Sequence, residues 1–350
     1  MESFEKTKQS KDYSISCARL IAMVFIVACH MMQRDDFALD IKGAHIGLAV
    51  WFNVGVQMFL FISGYLYGKK NRIDIVEFYK KSFPKLLIDY YVFIFVMLVV
   101  IHYSPLVDVD YNVVIGALTF SGTIPGLEHL WFIPTILFCY LLAPVFSEIF
   151  NAIDKKSDVR FWIESILLLV LIHIIIRRLF GSFNAAWINC FVLGMIYSRL
   201  ERKPDANKRI FSCVVSLFCL LIVPLQFRID YWPHDQLPSF FANRYEYIRC
   251  YGHVFLGILV IILIRFIYNQ INHKSLNHMV LEWSDKYSYD VYIVHHVFVQ
   301  SAFGCVEFIS NRWIALPLAI TLTILSSILL YYVSGFIRSK SIEMYRKLPN

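Results

Sequence analysis

The sequence predicts an all-α integral membrane protein, built as a bundle of about ten transmembrane helices. Of its 350 residues, 58% are hydrophobic and only 17% are charged, and the mean hydropathy is +0.58. Soluble globular chains carry about 25% charged and about 45–50% apolar residues. The apolar residues form blocks of about 20, the length that a helix needs to cross a bilayer. These observations exclude a disordered chain, a collagen, a coiled coil and a small disulfide scaffold.

Ten apolar blocks are candidate spans. The first follows a polar stretch, as a signal peptide would, but no A-x-A-like cleavage site is evident, so we interpret it as a retained helix. The sixth is short and contains Asn184 and Asn189. The ten spans are 15–33, 44–67, 84–103, 128–149, 161–178, 183–198, 209–227, 250–269, 288–305 and 313–337. They predict one transmembrane domain over residues 1–350, with its spanning region at 15–337.

The distribution of Lys and Arg predicts the orientation of the bundle. With the N-terminus placed inside, 24 of the 33 Lys and Arg residues fall on the inner side, 8 fall in outer loops, and Arg19 lies within the first helix. Basic residues of short loops stay on the cytoplasmic side. We therefore expect both termini in the cytoplasm and an even number of spans, in a multi-pass protein of the bacterial cytoplasmic membrane.

Two further features limit the function. The net charge of +7 does not indicate a nucleic-acid partner, because the basic residues are spread over inner loops. The eight Cys residues lie mostly inside spans and form no C-x-x-C pair, so we expect no metal or redox site. The adjacent His295 and His296 point about 100° apart on a helix, which does not suit one metal site. The loops are short, so any chemistry takes place within the bundle or at its surfaces.

The first span carries two ionisable residues, Arg19 and His30, in the stretch ISCARLIAMVFIVACH. Eleven residues is about 20° beyond three full helical turns, so both side chains share one face, roughly 16 Å apart along the axis. Either residue alone has a structural explanation, since an arginine can snorkel to headgroups and a histidine can bond a neighbouring helix. Ionisable residues within a span are functional candidates, and this shared face favours a functional role.

The second span and the segment after it hold a small-residue stripe and a basic cluster. In GVQMFLFISGYLYG, Gly55, Ser63 and Gly64 let a partner backbone approach closely, which is typical of helix packing. The following FYKKSFPKLL places Lys80, Lys81 and Lys85 just before the third span. Such a cluster is either an anchor to anionic lipid at the inner surface or a phosphate-binding site.

Polar side chains also interrupt the fourth and ninth spans. The fourth begins EHLWFIP, where an acid and an imidazole accompany a tryptophan of the kind that marks a membrane interface. The ninth, YSYDVYIVHH, is polar where lipid-facing residues are expected to be apolar. The residues concerned are Glu128, His129, Trp131 and Pro134 in the fourth span, and Asp290, Tyr292, His295 and His296 in the ninth.

Four of these stretches occur in the order found in a known family. They are the R-x10-H of the first span, GVQMFLFISGYLY, HLWFIP and YSYDVYIVH. With them the chain resembles, over nearly its whole length, the acyltransferase-3 family of membrane enzymes that O-acylate cell-surface carbohydrates. Many members have an acidic residue three positions before the arginine, where this chain has Ser16. The basic pair before the proline of the third helix is often Arg-Arg, where this chain has Lys80 and Lys81.

The resemblance implies a membrane O-acyltransferase with acyl-CoA as donor, acetyl-CoA being the expected one, and no bound cofactor. The donor would enter from the cytoplasm, with its pantetheine arm along the face shared by Arg19 and His30. His30 would be the general base for an acceptor hydroxyl. The implied donor-binding residues are Arg19, Ser63, Lys80, Lys81 and Lys85. Those implied on the acceptor side are Glu128, His129, Trp131 and His295, with Trp131 stacking on a sugar ring.

The expected partners are acyl-CoA, a glycan or lipid-linked sugar as acceptor, and membrane lipids. Three alternatives remain open at this point. The acyl group could be succinyl. A transporter of a polysaccharide or lipid-linked sugar would also place polar residues in the bundle, although no inverted repeat with broken helices is visible. A scaffold for a polysaccharide synthase would leave His30 dispensable.

Overall fold

The computed structural model describes residues 11–34, 38–41, 44–47, 49–181, 183–231, 238–271 and 278–347. Helices dominate these residues. They are α1 (Tyr13–Arg34), α2 (Ala49–Phe52), α3 (Gly55–Gly68), α4 (Ile75–His102), α5 (Tyr111–Leu118), α6 (Phe132–Ile153), α7 (Asp158–Leu179), α8 (Ala185–Leu200), α9 (Asp205–Tyr231), α10 (Ser239–Ala242), α11 (Tyr245–Gln270), α12 (His278–Val299), α13 (Cys305–Phe308) and α14 (Arg312–Lys347). A 3₁₀ turn, Glu128–Trp131, precedes α6, and the strands β1 (Ala38–Ile41) and β2 (Ala44–Gly47) pair antiparallel.

The helical, multi-pass membrane character of the prediction is confirmed. Eight helical segments within the described residues are long and apolar enough to cross a membrane. Each of the ten predicted spans falls on a helix, but two of those helices fail either the length or the apolar character that a membrane-spanning helix needs. α8 is apolar and has only 16 residues, and α12 carries the polar residues of the ninth predicted span. The count of ten and the cytoplasmic termini stay predictions.

The boundaries of two predicted spans are corrected. The second span does not begin at residue 44, because Ala44–Gly47 pairs with Ala38–Ile41 as a hairpin and the helical segment starts at Ala49. The third helix begins at Ile75, nine residues before its predicted start. Asp74 caps it, with its side chain accepting a hydrogen bond from the backbone N–H of Glu77 at 2.9 Å. The basic segment before Pro84 is therefore helical.

The helix α8 lies at the centre of the bundle, and every residue from Ala185 to Leu200 except the half-buried Trp187 is buried. It packs against α3 so closely that their backbones touch. A Cβ atom at Gly64 would overlap the carbonyl oxygen of Phe191, and one at Gly194 would overlap that of Phe61. The predicted close approach of a partner backbone to the second span is thereby confirmed, and small residues are what permits it.

We call the end of the bundle at which α1 begins the N-terminal face. An ion-pair network there joins α1, α8 and α11, since Arg265 contacts Asp12 at 3.2 Å and Glu201 at 2.7 Å. Tyr65 of α3 donates to Glu201 at 2.8 Å. Burial alone would raise the pKa of Asp12, but the hydrogen bond from Ser14 and the Arg265 guanidinium lower it overall. The network fixes the start of α1 against three other helices.

Candidate active site

A cavity of about 620 Å³ opens among α1, α3, α4, α6 and α12. Its lining on the N-terminal side comes from the segment between α3 and α4 and from the first turns of α4. Its deeper lining comes from side chains of α6 and α12, among them Phe132, Tyr140 and Tyr292. The cavity thus leads from the N-terminal face into the apolar interior.

The lining of this cavity carries more positive than negative charge. Six cationic side chains line it, against three carboxylates. Two of the carboxylates are already engaged, since Asp74 caps α4 and Asp285 pairs with basic residues. The cations are Arg19, Lys70, Arg72, Lys81, Lys85 and Lys286. Such a lining suits a ligand that bears several negative charges, such as phosphate groups.

The pKa of Lys70 reflects the burial and the crowding of positive charge at this end of the cavity. Burial lowers its pKa, and the nearby positive charge of Lys81 lowers it further, while Glu77 partly opposes both effects. Two ammonium groups held together in this way are stabilised by an anion placed between them. The lowered pKa of Lys70 therefore agrees with an anion-binding role for this end.

Arg19 is held in the cavity wall by α12. Its Nη1 donates to Asp285 Oδ1 at 2.5 Å, and Ser16 Oγ donates to Asp285 Oδ2 at 2.6 Å. Lys11 contacts the same carboxylate at 2.9 Å. The acidic partner of the arginine thus comes from α12, and Ser16 donates to the same carboxylate.

The structure places four of the five predicted donor-binding residues in this cavity. Arg19, Ser63, Lys81 and Lys85 line it. Lys80 is exposed and is not among the lining residues. Adjacent residues of a helix point about 100° apart, so Lys80 and Lys81 cannot face the same cavity equally.

Deep in the cavity, Tyr292 and Phe132 stand between it and a group of histidines. Their rings contact each other with centroids 5.0 Å apart, and the Tyr292 ring lies 5.4 Å from that of His129. The Tyr292 hydroxyl donates to the backbone carbonyl of His129. A ligand that extends inward from the N-terminal face therefore ends beside these histidines.

Four histidine rings form one cluster at this depth. The ring of His30 lies 4.5 Å from that of His296, 5.2 Å from that of His295 and 6.5 Å from that of His129, between centroids. His129 and His296 stack at 4.3 Å. Because Arg19 and His30 both contact α12, the prediction that they share one face of α1 is confirmed. We call these four residues the histidine cluster.

Hydrogen bonds to oxygen atoms fix the ring protons of His30 and His295. His30 Nδ1 lies 2.9 Å from the side-chain oxygen of Gln33, and His295 Nδ1 lies 2.7 Å from the carbonyl oxygen of Tyr292. An oxygen of this kind only accepts, so both Nδ1 atoms carry the proton in the neutral ring. Each Nε2 then carries a lone pair, and that of His295 is buried with no partner among the described residues.

The other two rings are fixed in the same manner. His296 Nδ1 donates to the carbonyl oxygen of Gly126 at 2.7 Å, and His129 Nε2 donates to that of Ile293 at 3.0 Å. The remaining nitrogen of His129 is buried and has no partner within the described part of the chain. The histidine cluster therefore offers proton acceptors, and it suits a ligand group that donates protons, such as a hydroxyl.

Glu128 and Trp131 belong to the 3₁₀ turn that carries His129 of the histidine cluster. The carboxylate of Glu128 accepts from the backbone N–H of Gly126 at 2.8 Å, and the carbonyl of Gly126 is the one that orients His296. Trp131 stacks on Trp187 with centroids 4.0 Å apart, so one of its faces is covered. Of the predicted acceptor residues, His129 and His295 thus lie beside His30, and Glu128 reaches the cluster through Gly126. Trp131 lies two residues after His129 in the same 3₁₀ turn.

Across the described residues, no group of three or more His, Cys, Asp or Glu side chains is placed to hold a metal ion. Each of the four rings of the histidine cluster has one nitrogen hydrogen-bonded to a protein oxygen.

A family model described as an acyltransferase domain, acyltransferase-3, matches residues 12–332. The chain belongs to the acyltransferase-3 family. The match covers α1 through most of α14, and so it includes both the cavity and the histidine cluster. Comparison with curated proteins and with solved structures found no match.

Several residues of this acyltransferase site were missed from the sequence. His296 was noted only as a polar residue of the ninth predicted span and received no role, yet its ring and that of His295 both lie beside the ring of His30. Lys70 and Lys286 counted only as inner-loop charges. Asp285 precedes the predicted ninth span and had no assigned partner. The sequence did hold one signal for Asp285 and Lys286, which is that they lie only three and two residues before the predicted ninth span.

Proposed function

We propose that this acyltransferase moves an acyl group from acyl-CoA to a hydroxyl of an exported or lipid-linked glycan. The observation that carries the proposal is that the cavity and the histidine cluster are neighbours. A cationic cavity opens at the N-terminal face, and Tyr292 of its deep lining contacts the rings of His129 and His295. The helix α1 supplies Arg19 to the cavity and His30 to the cluster. The expected donor is acetyl-CoA, and the expected location is the bacterial cytoplasmic membrane with the N-terminal face inside.

The dimensions of the site agree with an extended donor. Arg19 and His30 are separated by roughly 16 Å of helix, about the reach of a pantetheine arm. The phosphates of coenzyme A would lie among Lys70, Arg72 and Lys81, and the thioester would lie near Tyr292. Lysines bind phosphate as point charges without the bidentate geometry of arginine, so several are needed together.

His30 acts as general base in the proposed reaction. The acceptor O–H bond breaks as its proton moves to His30 Nε2, and the oxygen forms a new C–O bond with the thioester carbonyl carbon. The C–S bond then breaks, and the proton passes from His30 to the sulfur of the departing coenzyme A. A positioned base of this kind contributes about 10²–10⁴-fold to a rate.

The remaining histidines and Trp131 would receive the acceptor. A sugar presents neighbouring hydroxyls, and the free nitrogens of His295 and His129 accept the protons of such groups. Trp131 has Trp187 on one face, and its other face would stack on a sugar ring. Glu128 contributes through the Gly126 peptide, which holds His296 in place.

A transfer assay tests the proposed function directly. Membrane vesicles bearing the protein are incubated with acetyl-CoA labelled in the acetyl group and with glycan extract from the host. We expect free coenzyme A and label on the glycan, both absent from vesicles without the protein. If acetyl-CoA gives neither, succinyl-CoA is tested next, and failure of both donors would contradict the proposal in favour of a transporter.

Lys80 and Lys81 provide a matched pair for the donor site. Lys81→Gln should raise the KM for acyl-CoA about tenfold, because it removes one charge-assisted contact to phosphate. Lys80→Gln should leave that KM within about twofold, since Lys80 does not line the cavity. Initial rates at varied donor concentration measure both. Equal effects of the two substitutions would mean that the cluster acts only through general surface charge.

A further inference from the structure

A second cavity, of about 540 Å³, lies beside the donor cavity at the N-terminal face. It is formed by α4, α12 and α14, and Lys85 and Lys286 line both cavities. Arg338 of α14 lines only the second one, and there it lies 3.7 Å from the buried carboxylate of Asp89. Three cationic side chains thus converge at the foot of α14.

Lys286 is held in this cavity by aromatic rings. Its Nζ lies 4.7 Å from the ring centre of Tyr331, 4.8 Å from that of Tyr287 and 5.1 Å from that of Tyr332. No ion pair joins it to a carboxylate among the described residues, and its neighbour Asp285 is already engaged by Arg19. A positioned ammonium without a carboxylate partner remains available to an anion.

Above these cations, α14 presents an apolar stripe to its surroundings. Leu325, Leu329, Tyr332 and Phe336 are 58–65% exposed, and their spacing of four, three and four residues places them on one face. Tyr332 and Phe336 also line the second cavity. The stripe rises about 16 Å, close to half of the roughly 30 Å hydrocarbon core of a bilayer.

We propose that the second cavity binds the phosphate headgroup of an anionic phospholipid, with an acyl chain along the stripe of α14. The arrangement matches an amphiphile, since a cationic cavity at the membrane surface continues into an exposed apolar face that is one leaflet long. Phosphate at Lys85, Lys286 and Arg338 satisfies the cations, and the chain covers Tyr332 and Phe336. Basic side chains near a bilayer surface each attract anionic lipid by about 1 kcal/mol.

The site is distinct from the donor cavity, although the two share a wall. Lys85 and Lys286 stand between them, so lipid bound in the second cavity would supply negative charge on the outer side of these lysines. The proposal does not depend on the acyl-transfer reaction, because it concerns a lipid ligand of the membrane-embedded chain.

Two serines of α14 give a matched test. Ser339 lines the second cavity, and Ser341 is exposed and does not. Both hydroxyls donate to backbone carbonyls of α14, so the two positions are locally alike. Ser339→Asp places a negative charge at the headgroup, while Ser341→Asp places the same charge about 200° around the helix. Lys286→Met removes a cation at similar side-chain length.

The experiment is native mass spectrometry of the full detergent-solubilised chain with added phosphatidylglycerol or zwitterionic phosphatidylcholine. We expect the wild type to retain phosphatidylglycerol more strongly than phosphatidylcholine. Lys286→Met should retain phosphatidylglycerol about fivefold more weakly than the wild type, and Ser339→Asp should weaken its retention at least as much. Ser341→Asp should match the wild type. Equal retention of phosphatidylglycerol by all four forms would overturn the proposal. Displacement of the lipid by coenzyme A would also overturn it, because the cavity would then be part of the donor site.

Discussion

His30→Ala should reduce acyl transfer by about 10²–10⁴-fold, the contribution of a positioned general base. The ring that it removes lies within 4.5–6.5 Å of the other three imidazoles, measured between centroids. These rings have their own hydrogen bonds to backbone oxygens, so the cluster should keep its geometry in the variant. The rate of label transfer to glycan at saturating donor measures the effect.

Donor binding should survive in this variant, which separates chemistry from binding. Arg19 and the lysines lie at the other end of the donor cavity, so His30→Ala should bind acyl-CoA within about threefold of the wild type. His102 is a suitable control because it is exposed at the end of α4, away from the cluster. His102→Ala should transfer normally. Full transfer activity in His30→Ala membranes would rule out His30 as the base.

The shared face of Arg19 and His30 was predictable because helical periodicity alone determines it. Both residues belong to one continuous helix, so their relative direction follows from 100° per residue and needs no knowledge of neighbours. The identity of the helix that they face was beyond the sequence. α12 supplies Asp285 to one and two histidines to the other, and a contact between residues some 266 positions apart depends on packing.

The central position of α8 was also beyond the sequence. Hydropathy ranks segments by their apolar content, and this short helix with its Asn189 appeared as the least typical span. It is instead almost wholly buried among other helices, where the side-chain amide nitrogen of Asn189 donates to the hydroxyl of Tyr251 at 2.9 Å. A helix that contacts protein on every side can carry polar groups that a lipid-facing helix cannot.

The histidine cluster depends on packing that the directions of its residues do not determine. Adjacent residues on a helix diverge by about 100°, and this argued against one metal site that uses both His295 and His296. A third ring placed between the two directions can nevertheless contact both, which is the position that α1 gives to His30. The sequence showed the directions, but only the packing of α1 on α12 showed what lies between them.

Gly64→Ala should destabilise the folded protein by about 3 kcal/mol or more, at the upper end of the usual cost of overpacking. The new methyl group would overlap the carbonyl oxygen of Phe191, which is backbone of the central helix and has no rotamer to change. α3 must therefore move away from α8. Because α3 also carries Ser63 in the donor cavity, acyl transfer should fall together with stability.

Gly335→Ala is the matched control for this substitution. Gly335 lies inside α14, and a Cβ atom there would meet no atom within 4 Å. Alanine is favoured over glycine inside a helix by about 1 kcal/mol, so this variant should be as stable as the wild type or slightly more stable. Unfolding of both variants in mixed micelles, followed by circular dichroism, compares them. A Gly64→Ala protein as stable as Gly335→Ala would mean that α3 and α8 do not touch at this point.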